Sequence, residues 1–308
     1  METILVALLP VSFLIFLGYL FKRIEFPSIE FWQYADKFTY YVLFPALLVY
    51  KLSTASLNEI DGFAFISSSI LTLIFITIFL MLLSKFLFLF DGKAFTSIYQ
   101  GAIRFNTYVF LALTDAIFGD SGLVLAALLM TFMIPIINVF CISIFSIYAA
   151  SSKITVISFI KSIIKNPLIL GCIFGGLLNY FGISLYAPIE KTLGILSSAA
   201  LPLGLLSVGV GLHIKHIKEV KLELFSSLFT KLALFPTFIF FIGQAFGIQG
   251  QALAILVLFG SMPTASSSYI LARELGGDLK LMSTIITAET LVSIFTISAF
   301  LMLLQGYF

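Results

Sequence analysis

Long apolar runs separated by short polar breaks constrain this chain more than any other feature. Ten such runs can be read, at roughly residues 3–21, 33–52, 62–88, 94–118, 121–149, 165–182, 190–212, 221–243, 250–273 and 279–304. A helix that crosses the hydrocarbon core of a bilayer needs about 20 apolar residues, and the runs have that length. They lack the strict alternation of transmembrane strands. Of 308 residues, 60% are hydrophobic and 10% charged, whereas a soluble domain carries about 25% charged residues. Too little polar surface exists to coat a soluble globule of this size. Ten spans with short loops use almost the whole chain and leave no room for a separate soluble domain. The expected fold is an all-α polytopic membrane protein with ten transmembrane helices.

The basic residues test this segmentation independently. Of the seventeen Lys and Arg, thirteen fall in odd-numbered connections: Lys22, Arg23, Lys37, Lys85, Lys93, Lys153, Lys161, Lys165, Lys215, Lys218, Lys221, Arg273 and Lys280. Only Lys51 and Lys191 fall in even-numbered ones, and Arg104 and Lys231 lie within spans. Cytoplasmic loops are the basic ones, so both termini are expected outside the cytoplasm. Met1-Glu2-Thr3 supplies no basic region ahead of the first run, and no small-residue cleavage site stands out. That run is expected to be a retained span and not a signal peptide. The net charge of +2 includes no cluster dense enough for nucleic acid.

Five runs precede the basic linker near 150–165 and five follow it. Five is odd, so a second half resembling the first lies upside down in the membrane. Pro10 pairs with Pro167, Pro45 with Pro202 and Asn106 with Pro263, each at an offset of 157. Two inverted five-helix repeats, 1–150 and 151–308, are the expectation. Inverted repeats are a common build of secondary transporters, whose substrates bind near the midplane at discontinuous helices.

Each half has one interrupted run. The fourth contains Gln100-Gly101-Ala102-Ile103-Arg104-Phe105-Asn106-Thr107-Tyr108, and the ninth contains Gly260-Ser261-Met262-Pro263-Thr264-Ala265-Ser266-Ser267-Ser268-Tyr269. Arginine and asparagine are costly in hydrocarbon. Proline removes a backbone donor, and small hydroxyl residues can re-satisfy the freed carbonyls. If both helices unwind where they cross, two helical N-termini face the centre, with free N–H groups and partial positive charge suited to an anion. Asn106, Thr107, Thr264 and Ser266 add neutral donors. Two readings stay open for Arg104, an anion ligand or a side chain snorkelling to the interface. Pro263 can equally mark a simple kink, and Tyr108 can line a cavity or belong to an interfacial belt.

Two further polar residues fall in spans, Asn138 beside Pro135 and Glu289 in the tenth run. Glu289 can hold a proton or Na⁺, or serve as a paired structural acid. Cys141 and Cys172 sit in apolar runs and read as small buried hydrophobes, with no metal site. His213 and His216 fall in a basic loop without nearby acids. No HExxH, no GxSxG with partners and no phosphate loop is present, so an enzyme is not expected.

Several stretches run in order through both halves: Tyr41-Val42-Leu43-Phe44-Pro45-Ala46-Leu47-Leu48, Arg104-Phe105-Asn106-Thr107-Tyr108, Lys165-Asn166-Pro167-Leu168-Ile169-Leu170, Leu201-Pro202-Leu203 with Gly209, and Met262 through Tyr269. In this ordered set the chain resembles the auxin efflux carrier family, the PIN-like transporters with many bacterial members. The resemblance implies broken, crossing helices 4 and 9, similar to those of bile-acid symporters and some sodium–proton antiporters. It implies a scaffold of helices 1, 2, 6 and 7 and a transport part of helices 3–5 and 8–10. It also implies transport of small organic anions, auxin-like or dicarboxylate, by alternating access. Asn106 and Pro263 would mark the crossing. The acidic pair of the antiporters is absent.

The candidate substrate-binding set is Arg104, Asn106, Thr107, Tyr108, Asn138, Pro263, Thr264, Ala265 and Ser266. The alternative function is a Na⁺- or H⁺-coupled symporter of bile-acid type, with Glu289 and Asn138 as ion ligands. The expected partners are the anion and the lipid bilayer of a bacterial inner membrane. No cofactor is expected beyond the coupling ion, and a homodimer is left open.

Overall fold

The computed structural model describes residues 2–54, 62–87, 90–149, 165–213 and 222–304. Lys153, Lys161, Lys215, Lys218, Lys221 and His216 lie outside the described residues. The described chain is helices and short connections: α1 (Glu2–Arg23), α2 (Ile29–Phe38), α3 (Phe44–Ser53), α4 (Gly62–Leu87), α5 (Gly92–Ile103), α6 (Thr107–Tyr148), α7 (Pro167–Tyr180), α8 (Ala187–Val210), α9 (Leu222–Phe229), α10 (Phe235–Ala245), α11 (Gly250–Ser261), α12 (Ser267–Leu275) and α13 (Leu279–Leu303). Among the described residues, Gly62–Lys85, Gly92–Tyr148, Ala187–Val210, Leu222–Ala245 and Leu279–Leu303 are long and apolar enough to cross a membrane. Pro167–Tyr180 and Gly250–Ser261 are shorter apolar helices. The protein is an all-α polytopic membrane protein. The break expected between the fourth and fifth runs falls inside α6 at Gly119, whose φ of 60° and ψ of −149° are not helical. Such a backbone favours glycine, which has no Cβ to clash.

Two prolines are accommodated in a way that apolar patterning does not reveal. A π-helical turn, Thr39–Leu43, joins α2 to α3 just before Pro45, and a second, Thr230–Leu234, joins α9 to α10 just before Pro236. Proline lacks an N–H, and its ring crowds the carbonyl four residues back. The wider turn shifts the hydrogen bonds by one residue, so that Phe44 N donates to Thr39 O and Phe235 N to Thr230 O. Pro167 instead opens α7, where no N–H is needed. Asn166 caps that end, its Oδ1 accepting from Leu168 N at 3.0 Å and Ile169 N at 3.3 Å.

The chain forms two compact units. The first comprises Met1–Ile60, Tyr108–Phe132 and Ile160–Gly211. Within it α1 packs on α8, and α3 packs on α7 and α8. Glycines allow these backbones to meet, as small residues do between membrane helices. A Cβ on Gly209 would collide with the Ile15 carbonyl, and one on Gly18 with the Leu206 carbonyl. Gly175 meets Val49 and Leu52 of α3 in the same way, at 3.0 Å. Gly209→Val should destabilise the protein by about 1–3 kcal/mol, because backbone cannot yield as a side chain does. A melting midpoint in detergent several degrees below wild type checks this, and an unchanged one contradicts it. Lys51 anchors one edge of the unit, 2.6 Å from Asp120 and 3.9 Å from Asp115.

The second unit comprises Asp61–Thr107, Met133–Phe159 and Leu212–Phe308. Two of its short helices are sheathed on all sides. Residues Phe95 to Ile103 of α5 and Leu253 to Ser261 of α11 are buried throughout. Ile98, Phe145, Leu281, Met282 and Ile285 form a packed core around α5. Tyr99 OH meets Thr77 Oγ1 at 2.8 Å, and Ser97 Oγ donates to the Asp278 carbonyl at 3.0 Å. Tyr99 and Ser97 thus tie α5 to its neighbours at two fixed points.

Candidate functional site at two helix breaks

Helix α5 stops at Ile103, and the chain resumes as α6 only at Thr107. Arg104 is extended, with φ −74° and ψ 160°. Helix α11 stops at Ser261, and α12 begins at Ser267. The local cause is Pro263, which disfavours helical backbone at the residue before it. Met262 is accordingly extended, with φ −66° and ψ 140°. The two breaks meet inside the second unit. Asn106 N donates to Pro263 O at 2.7 Å, so the two residues paired by the offset of 157 are bonded to each other. The Phe105 and Phe259 rings pack edge-to-face beside them, 4.7 Å apart.

Thr264 ties the two breaks to α13. Its N–H donates to Glu289 Oε2 at 2.9 Å, and its Oγ1 donates to the Gln100 carbonyl at 3.2 Å and meets Ser268 Oγ at 3.2 Å. Glu289 is fully buried, and its Oε1 accepts from Ser227 Oγ at 2.8 Å. The carboxylate thereby supplies an acceptor to a backbone donor freed by the break. A Cβ on Gly101 would sit 3.2 Å from Glu289 Oε1 and overlap the Ser227 hydroxyl, so glycine keeps α5 close to this acid.

Arg104 has a different set of partners. Its Nη1 donates to Asn138 Oδ1 at 3.0 Å and its Nη2 to Ser267 Oγ at 3.1 Å. Ser267 stands in the first turn of α12, whose N-cap, Ser266, makes no side-chain cap hydrogen bond. A helix N-terminus carries partial positive charge. The guanidinium therefore sits beside an electropositive end, and the pair favours an anion between or beside them.

The expected residues divide accordingly. Arg104, Asn106, Thr107, Asn138, Pro263, Thr264, Ala265, Ser266 and Glu289 all lie in the second unit, whereas Tyr108 belongs to the first. There the Tyr108 ring stacks on Phe44, with centroids 4.6 Å apart. Ser266 is exposed, Ala265 and Thr107 are half-buried, and Asn106 and Thr264 are buried. The two residues considered as ion ligands have separate partners, Arg104 for Asn138 and Thr264 with Ser227 for Glu289. Sequence reasoning passed over Ser227, Ser267 and Gln100, ordinary polar residues whose role comes only from distant neighbours. Among the described residues, no group of three or more His, Cys, Asp or Glu is placed to hold a metal ion.

Comparison with known proteins adds independent information. A family model described as membrane transport protein matches residues 3–301. A Rhizobium meliloti protein, provisionally named a malonate transporter, is 25% identical over 97% of this chain and 95% of its own length. An uncharacterised transporter of Methanocaldococcus jannaschii is 31% identical over 46% of this chain and 47% of its own. The uncharacterised transporter YfdV of Escherichia coli is 26% identical over 53% of each chain.

Proposed function

The chain belongs to the membrane transport protein family, and from that premise we propose that it carries small organic anions, dicarboxylates such as malonate foremost, by alternating access. It is a transporter and not an enzyme. The observation that carries the substrate class is Arg104, which donates to Ser267 at the uncapped N-terminus of α12. A carboxylate there gains a planar fork of donors and a helix dipole together. Asn106, Thr107, Ala265 and Ser266, which flank the two breaks, orient the ligand. Thr264 acts differently, since its N–H and hydroxyl are bonded to the protein. It holds the break open and Glu289 in place. The malonate named for the Rhizobium meliloti relative is the first substrate to try.

In this proposal the two halves of the chain are inverted repeats, and the unit that contains the breaks is the transport part. The thirteen-to-two bias of basic residues supports both termini outside a bacterial inner membrane. Uptake of labelled malonate, malate and auxin into proteoliposomes tests the substrate class. With Asn106→Ala, uptake of the preferred anion should fall about 10-fold, the size of one hydrogen bond to a charged group. Undiminished uptake would remove the crossing from the substrate site.

A further inference from the structure

Asn138 is bonded to Arg104 and is left without a task in the anion site. It stands in the part of α6 that belongs to the second unit. A polar side chain in a membrane helix is costly and marks function more often than packing. Pro135 stands one turn before it and Cys141 one turn after, and both are buried, whereas Asn138 is half-buried.

The direction of its bond to Arg104 decides which of its atoms remain for a ligand. A guanidinium can only donate. The amide therefore turns its oxygen to Arg104 Nη1, at 3.0 Å, and its NH₂ group away. Among the described residues, that NH₂ group has no acceptor. Ser267 repeats the arrangement on the other side. Its Oγ accepts from Arg104 Nη2 at 3.1 Å, and its O–H has no acceptor among the described residues. Arg104 itself pairs with no Asp or Glu there, and its Nε is buried without a partner. The side-chain acceptors of the cluster thus face one cation, and only donors remain. Ser267 is exposed and Arg104 half-buried, so a ligand can reach them. Two donor groups flank one uncompensated guanidinium, the Asn138 NH₂ beside Nη1 and the Ser267 O–H beside Nη2. One carboxylate meets the Ser267 side, and a second finds its partner in the amide.

We propose that Asn138 sets a preference for dicarboxylates over monocarboxylates, its NH₂ group holding the second carboxylate while Arg104 and Ser267 hold the first. The inference deepens the organic-anion reading and rests on it. A site built to hydrogen-bond one group of its ligand discriminates against an analogue that lacks the group. A monocarboxylate offers the Asn138 NH₂ group nothing, so the amide adds to the binding of dicarboxylates alone.

Calorimetric titration of the purified full-length protein in detergent tests this, with malonate and with propionate, which has a methyl group in place of the second carboxylate. Wild type should bind malonate at least about 10-fold more tightly, the size of one hydrogen bond to a charged group. Asn138→Ala should weaken malonate by about that factor and leave propionate nearly unchanged, so that the preference disappears. Equal losses for both anions would make Asn138 a mere support for Arg104 and overturn the proposal, as would unchanged malonate binding. If Asn138→Ala does not fold, Asn138→Ser decides by the same ratio, since its hydroxyl can still accept from Arg104 while the amide donors are gone. Wild type that binds both anions equally overturns the proposal and leaves the organic-anion reading intact. Wild type that binds neither overturns both.

Discussion

An Arg104→Ala carrier should take up labelled malonate on the order of 100-fold more slowly than wild type at subsaturating substrate. The guanidinium is placed at the N-terminus of α12 through its bond to Ser267. Truncating one partner of a charge-assisted pair costs roughly 2–5 kcal/mol, and each ~1.4 kcal/mol is a factor of ten. Arg104→Lys should fall between alanine and wild type, because it keeps the charge and loses the planar fork. Arg104 also holds Asn138, so the comparison needs variants that elute and melt like wild type. An Arg104→Ala carrier with wild-type uptake would show that the side chain only bridges Asn138 and Ser267, and has no part in holding the anion.

Glu289→Ala has the largest expected effect on the fold itself. Both carboxylate oxygens are committed, one to the Ser227 hydroxyl and one to the Thr264 N–H. Alanine leaves that buried N–H without an acceptor and the buried Ser227 hydroxyl without its partner. Each buried donor left without its charged acceptor costs about 1–3 kcal/mol, set against a total stability of about 5–15 kcal/mol for a typical protein. The variant should reach the membrane in small amounts and melt far below wild type. Glu289→Gln, which keeps an acceptor oxygen, should lose less. Equal melting of the alanine variant and wild type would mean that the Thr264 N–H does not depend on this acid.

How much of this was legible in the sequence depended on the cost of each residue in hydrocarbon. Arg104, Asn106, Pro263 and Glu289 stand out because each is expensive in an apolar run, and an expensive residue announces itself without any knowledge of its neighbours. The offset of 157 even paired Asn106 with Pro263, which are bonded through their backbones. The partners were not legible. Ser227 and Thr264 meet Glu289 from 62 and 25 positions away, and a serine in a membrane helix is too cheap to signal anything by itself. Thr264 was expected to face substrate, but its donors are bonded within the protein. Whether a proline bends a helix or widens it is also silent in the sequence, so both π-helical turns went unanticipated. Lys231 is the instructive omission. Its position in Phe229-Thr230-Lys231-Leu232 carried the same signal as Glu289, and it too is fully buried.

A structure determined with malonate bound tests the placement of the substrate most directly. Density for the dicarboxylate should lie against the Arg104 guanidinium and the first turn of α12, within hydrogen-bond distance of the backbone at Ser266 or Ser267. Ordered malonate elsewhere in the protein, with Arg104 still bonded to Asn138 and Ser267, would contradict it.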